Sequence, residues 1–346
     1  MGEESQLPPR IDVHSHFLPP EYCDELRKNG HSKPDGMPAI PTWSLAGHLE
    51  MMSKANVTKS ILSISSPGTN INANDNALNI RLTRFCNSYA ASLKRDHPDK
   101  IGYWAALPLP DIDATFEEIK KAKEEGADGF GLLTNYHGNY LGSDIFDPVF
   151  QELDRLKARV FIHPTMPCVI CQTSTSEPPT LVNATPLAAK HPIPIYEFFF
   201  DTARAVTNLF LSGTVARCPN IRFIIPHSGG CLPPVISRFI GFSSIRPAGP
   251  VMIDQEVRGA IARQFYFDLA GFVFAGEKGG SGQLKALLEG YNIDHRSLLY
   301  GSDFPFTQTP LVKNFADRMK DGLEDLFNEE EREEIYEKNA TALLAE

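Results

Sequence analysis

The chain has 346 residues, 42% of them hydrophobic and 22% charged, with a formal charge of −10 at neutral pH. That length is enough for one large α/β domain with a sizeable core, and an acidic balance without a long basic cluster excludes nucleic acid and anionic membrane surfaces as partners. The opening MGEESQLPPR has no apolar signal core and no later run reaches about 18 apolar residues, so a cytoplasmic location is expected. The six scattered cysteines, including the lone pair in CVIC (168–171), read as reduced thiols.

Short apolar runs alternate with amphipathic segments along the chain. A strand is predicted at RIDVHSH (10–16), followed by a Pro- and Gly-rich stretch (17–44) and a helix at LAGHLEMMSKANV (45–57). Strands follow at KSILSIS (59–65), IGYWAALP (101–108) and DGFGLLT (128–134), with a helix at ATFEEIKKAKEEG (114–126). DPVFQELDRLKA (147–158) reads as a helix and RVFIHP (159–164) as a strand, before a second long stretch (165–196) rich in Pro, Thr and Ser. The last three strands are RFIIPHSG (222–229), QFYFDLA (264–270) and SLLYGSDFP (297–305). Eight strands alternating with helices predict a (β/α)8 TIM barrel forming a single domain over 1–346. Segments 17–44 and 165–196 then fall at its C-terminal face as active-site loops.

Histidines stand at the ends of these strands. In strand 1, His14 and His16 are two residues apart and face the same side, so two imidazoles aim at one point. His163 ends strand 5, His227 ends strand 6, and Asp303 stands at the end of strand 8. Singly, each has a structural reading as a core histidine, a cap or a turn residue. Jointly they are a ligand set: three neutral imidazoles and one carboxylate hold a divalent metal with a position left for water or substrate. His227 is either a fourth ligand or a general acid/base. GLLTN at the end of strand 4 offers no lysine for a bridging carbamate, which favours one metal per chain.

The ordered set of HxH, strand-5 His, HSGG and GSDFP resembles the amidohydrolase superfamily, from Ile11 to the EKNATALL segment. Within it the chain is similar to the decarboxylase branch typified by the aminocarboxymuconate semialdehyde decarboxylases. The resemblance implies His14, His16, His163 and Asp303 as ligands of one divalent metal, Zn²⁺ first and Mn²⁺ or Mg²⁺ as alternatives. It implies His227 as catalytic and not a tight ligand; Asp303, beside the metal, is the expected proton donor, with a relay through His227 as the alternative. In such decarboxylases an arginine at the place of Arg238 crosses a dimer interface to bind the substrate carboxylate, so a homodimer is expected, with no nucleic-acid or membrane partner. Where that branch carries a second substrate-binding arginine this chain has His48, which speaks against a dicarboxylate.

The run YEFFFDTARAV (196–206) resembles the fungal 6-methylsalicylate decarboxylases. The expected activity is therefore metal-dependent, non-oxidative decarboxylation of a small aromatic o-hydroxycarboxylic acid, with Phe17 and Phe198 as ring contacts beside Arg238. The alternative is a single-metal amidohydrolase cleaving an amide or lactone with metal-bound hydroxide.

Overall fold

A computed structural model describes residues 7–172, 178–245, 251–271, 273–274, 282–291 and 293–346. Eight strands form one parallel sheet in chain order: β1 (Arg10–His16), β2 (Val57–Ser63), β3 (Ile101–Ala106), β4 (Gly129–Leu133), β5 (Arg159–His163), β6 (Arg222–Ile225), β7 (Phe265–Asp268) and β8 (Leu298–Leu299). Bridges from Asp12 to Tyr300 and from Ser15 to Phe304 join the last strand's continuation to the first and close the (β/α)8 barrel.

The lower interior is apolar. Ile11, Val13, Ile61, Trp104, Phe161, Ile224 and Leu299 fill it, and Ala340 and Leu343 pack with them. Trp104 is buried and its indole N–H donates to the carbonyl of Val13 at 2.9 Å, so its one polar atom is satisfied. Truncating a ring such as Phe161 to alanine would cost about 3–5 kcal/mol through lost burial and the cavity left behind. Above this plug the register of β1 against β2 shifts between Asp12 and Ser15. The shift lets one strand supply Val13 to the plug and then His14 to the space above it, where its ring meets Phe161 at 5.0 Å.

Helices cover the outside: α1 (Pro20–Lys28), α2 (Leu45–Ala55), α3 (Asn76–Asp96), α4 (Ile112–Glu124), α5 (Asp147–Arg155), α6 (Ile193–Leu211), α7 (Leu232–Ile245), α8 (Asp254–Gln264), α9 (Gly282–Tyr291) and α10 (Thr309–Glu324). Several begin at side-chain caps, where a free backbone N–H is satisfied by Ser44, Asp75 or Asp111.

Both long segments carry more order than their composition suggested. The first holds α1, which starts at Pro20 and buries Tyr22, Cys23 and Leu26. The second holds an antiparallel hairpin of Cys168–Cys171 against Thr180–Asn183 before α6 begins behind Pro192. All six cysteines are free thiols. Strand 8 is shorter than the sequence suggested, because the chain turns after Leu299 into a loop whose Asp303 has φ +57°. That loop still pairs with β1, through Asp303 N–H to His14 O at 2.8 Å and His16 N–H to Phe304 O at 2.7 Å.

Candidate active site and metal centre

At the C-terminal face, β1, β5 and the loop after β8 bring His14, His16, His163 and Asp303 together. One donor atom from each lies within 4.8 Å of all the others. The imidazole orientations are set by what their Nδ1 atoms touch. His14 Nδ1 is 2.9 Å from Asp268 Oδ2, and His163 Nδ1 donates to the Pro164 carbonyl at 2.7 Å. His16 Nδ1 is 2.9 Å from Ser63 Oγ, whose own proton goes to the Ser15 carbonyl, so the ring is the donor. With all three Nδ1 atoms donating, the three Nε2 lone pairs face a common point, which is the tautomer a metal requires. His14 Nε2 and His16 Nε2 are 3.2 Å apart, and Asp303 Oδ1 lies 3.5 and 3.2 Å from them.

The electrostatics fit a cation between these groups. Burial alone would raise Asp303, but the neighbouring His16, His227 and His14 imidazoles hold it well below the usual carboxylate range. Burial, then the neighbouring histidines His16 and His14, press His163 well below its ordinary value. Burial likewise lowers His16. His14 is the exception: burial pulls it down, but the charge and hydrogen bond of Asp268 lift it to about 9. Neutral His16 and His163 beside an ionised carboxylate make a donor set that suits a divalent ion, which would displace the proton of His14.

His227 lies on the opposite side of Asp303, with Nε2 3.9 Å from Oδ2, and its ring stacks on Phe199 at 5.6 Å. Its backbone φ is +54°, and that of Ser228 is +53°. His227 and Asp303 thus both sit in the left-handed region, where most side chains are strained and functional residues are often found. The turn has no room for a side chain at Gly230, where a Cβ would stand 2.7 Å from the Phe199 carbonyl oxygen, so HSGG is held tightly against α6.

A cavity of about 470 Å³ opens beside the cluster. His163, His227 and Asp303 line its floor, and Met37, Phe198, Phe199, Phe306 and Phe315 supply apolar wall. Half-exposed Ile195 and Tyr196, at the head of α6, line it as well. The polar wall residues are Asp35, Ser65 and Thr307, and no lysine or arginine lines the cavity among the described residues.

Phe198 lines the cavity, and its ring meets His163 at 5.9 Å. Phe17 does not. It is buried behind the site, stacked parallel on Tyr89 at 6.2 Å and against Trp43, because the chain leaving β1 turns it into the outer core. Arg238 lies on the exposed face of α7, its guanidinium 4.7 Å over the Phe242 ring, and does not line its own chain's cavity. His48 is also outside the cavity. It accepts from the Trp43 indole at 3.3 Å and lies 2.9 Å from Ser60 Oγ, and burial holds it down at about 3.

Asp268 is the residue that sequence reasoning passed over. It ends β7 in QFYFDLA, the same rim position that singled out the histidines, so its signal was present. Besides His14 it accepts from the backbone N–H of His227 at 3.1 Å and of Ala270 at 3.0 Å, tying the turn after β6 to His14. Asp12 plays a similar part below, accepting from Ser302 Oγ and from the N–H groups of Ser302 and His14.

Comparison with known proteins decides the family, since the amidohydrolase profile matches residues 11–345. The chain belongs to the amidohydrolase family. This amidohydrolase is 36% identical over 320 residues to decarboxylase yanB of Aspergillus niger, covering 90% of this chain and 81% of that one. It is 34% identical over 316 residues to 6-methylsalicylic acid decarboxylase acuB of Aspergillus aculeatus, covering 89% and 87%. A solved amidohydrolase II superposes with a TM-score of 0.82 at 31% identity, over 97% of this chain and 100% of the other. A dihydroxybenzoic acid decarboxylase from Polaromonas sp. JS666, solved with manganese and 2-nitroresorcinol, shares the fold with a TM-score of 0.75 at 18% identity, over 97% of each chain. Among amidohydrolases the chain is a carboxy-lyase, a decarboxylase. No described helix is long and apolar enough to cross a membrane.

Proposed function

We propose that this decarboxylase acts on a small aromatic o-hydroxycarboxylic acid such as 6-methylsalicylate, and that it needs one divalent metal held by His14, His16, His163 and Asp303. The observation that carries the substrate reading is the cavity: aromatic walls, no cationic side chain among its described lining, and a ligand cluster at the floor. Such a pocket suits a flat ring whose single carboxylate is held at the metal end. The donor set favours zinc, and the manganese in the Polaromonas enzyme keeps Mn²⁺ as the alternative.

When bound, the metal supplies positive charge that draws electron density from the substrate's oxygens. The chain's own groups then handle the proton. Asp303 is held ionised by His16 and His227, so it takes a proton before it can give one. His227, 3.9 Å away and stacked on Phe199, is placed to supply it from the cavity. Asp303 delivers that proton to the ring carbon bearing the carboxylate, and the bond to the carboxylate breaks. Its electron pair returns to the ring and carbon dioxide leaves, so one proton is consumed and one C–H bond is made. Phe198 and Phe199 keep the ring dry and in plane.

The metal-bound hydroxide of an amidohydrolase is the second reading, favoured only by the general suitability of the ligand set. We also propose a cytoplasmic homodimer in which Arg238 of one subunit serves the cavity of the other.

The test is carbon dioxide release from 6-methylsalicylate by metal-analysed protein, with His227→Ala as control. Release by the wild type alone, at about one metal per chain in both proteins, supports the reading. Cleavage of an ester or amide without carbon dioxide release from any hydroxybenzoate would overturn it.

A further inference from the structure

Asp35 stands in the segment between α1 and α2, in the tight turn Pro34–Gly36, and takes no part in the metal cluster. It lines the substrate cavity although the residue is only 7% exposed. Its φ is +53° and that of Gly36 is +73°. The turn is pinned on two sides. A Cβ at Gly36 would stand 3.7 Å from the Cα of Pro192, the residue preceding α6. On the other side the Ser66 hydroxyl donates to the Asp35 carboxyl, and Thr165 Oγ1, 2.8 Å away, donates to Ser66 in turn. The loops after β1, β2 and β5 and the head of α6 together hold one carboxyl at the cavity wall.

The turn itself does not require an acid, because asparagine or glycine takes left-handed φ as readily. A buried carboxyl is costly, and here burial pushes it up to about 6 against one hydroxyl donor. A carboxylate has about four acceptor sites. Ser66 occupies one of them, and the residue lines both the substrate cavity, whose described lining holds no lysine or arginine, and a smaller space of about 150 Å³ beside Asn70 and Thr165. A second carboxylate on the substrate would meet like charge at this wall. A ring hydroxyl would meet an acceptor.

We infer that Asp35 is a specificity-determining residue, accepting a hydrogen bond from a second ring hydroxyl beyond the one ortho to the substrate's carboxylate. The inference rests on the aromatic-acid reading above and narrows it to dihydroxylated rings. It also supplies a structural reason to exclude dicarboxylates, which His48, away from the cavity, does not.

The test compares wild type with Asp35→Asn, which keeps shape and backbone preference but removes the charge. Both proteins, loaded with metal, are assayed on 6-methylsalicylate and on its analogues carrying one further hydroxyl at ring position 3, 4 or 5. The readout is the ratio of kcat/KM between each analogue and the parent, so a general loss of activity cancels. In the wild type one analogue should exceed the parent by about tenfold or more, the worth of a buried hydrogen bond to a charged acceptor, and in Asp35→Asn that ratio should fall below about threefold. A wild type with no such preference, or a preference that survives in the variant, overturns the inference. If neither protein decarboxylates any of these acids, the aromatic-acid reading has failed separately. Calorimetric titration with m-cresol and its ring-hydroxylated analogues then still reads Asp35. Tighter binding of one dihydroxylated ring by the wild type alone supports the assignment, and equal selectivity in the two proteins overturns it.

Discussion

The Nδ1 of His14 and the Oδ2 of Asp268 lie 2.9 Å apart, both fully buried, and this contact orients the first histidine of the proposed metal site. A carboxylate behind a ligating imidazole fixes its tautomer and raises its basicity. Asp268→Asn is therefore expected to weaken metal affinity by about 10–100-fold while leaving the cluster's own donors in place. Titration with Zn²⁺ or Mn²⁺, read by calorimetry, checks this. Unchanged affinity would mean that β1 alone orients the ring.

His227 touches the site through Asp303 and its imidazole is no part of the four-residue cluster. His227→Ala should lower carbon dioxide release by about 100-fold or more and leave metal content as in the wild type, the mark of a proton-handling group. Loss of metal in parallel with activity would instead make His227 a ligand.

Arg238 has its guanidinium over Phe242, on the outer face of α7. If it serves the partner's cavity, Arg238→Ala abolishes turnover with metal content intact. Mixing that inactive variant with inactive His227→Ala should then restore part of the activity, because a mixed dimer holds one complete site. No recovery after subunit exchange would remove the trans role.

Asp35 gives a pH dependence with a definite sign. Its folded-state value of about 6 lies above the ordinary 3.8, so the folded protein holds this proton more tightly than the unfolded chain does. Asp35 costs nothing below pH 4. The loss of stability develops as pH rises from about 4 to 6 and persists above, reaching about 3 kcal/mol at neutrality. Asp35→Asn should accordingly unfold at a higher temperature than the wild type at pH 7, with the gap closing towards pH 4. A gap independent of pH would show that the charge is not the source.

His48 has the opposite sign. Burial holds it down at about 3, below the ordinary 6.5, so folding favours its neutral form. Stability from this group is complete above pH 6.5 and drains away as pH falls towards 3. His48→Gln should flatten the acid limb of the stability profile, measured by thermal unfolding between pH 7 and 4. An unchanged limb would place acid sensitivity elsewhere.

Much of this protein was written locally. The alternation of apolar runs with amphipathic helices is a matter of periodicity, and it located all eight strands and the rim positions of His14, His16, His163, His227 and Asp303. What periodicity cannot express is direction at the end of a strand. Phe17 follows His16 by one residue, yet the chain turns it into the outer core, while Phe198, from a helix 181 residues beyond Phe17, lines the cavity. Asp268 and Asp35 were two acids among 43 acidic residues until the fold brought one behind His14 and held the other at the cavity wall. The barrel and the candidate ligand positions at the strand ends were legible in the chain, because both depend on residue type at regular spacing. Which carboxyls lose their water, and what lies around them, came from the folding of distant segments together, because burial and hydrogen bonding are set by neighbours far away in the chain.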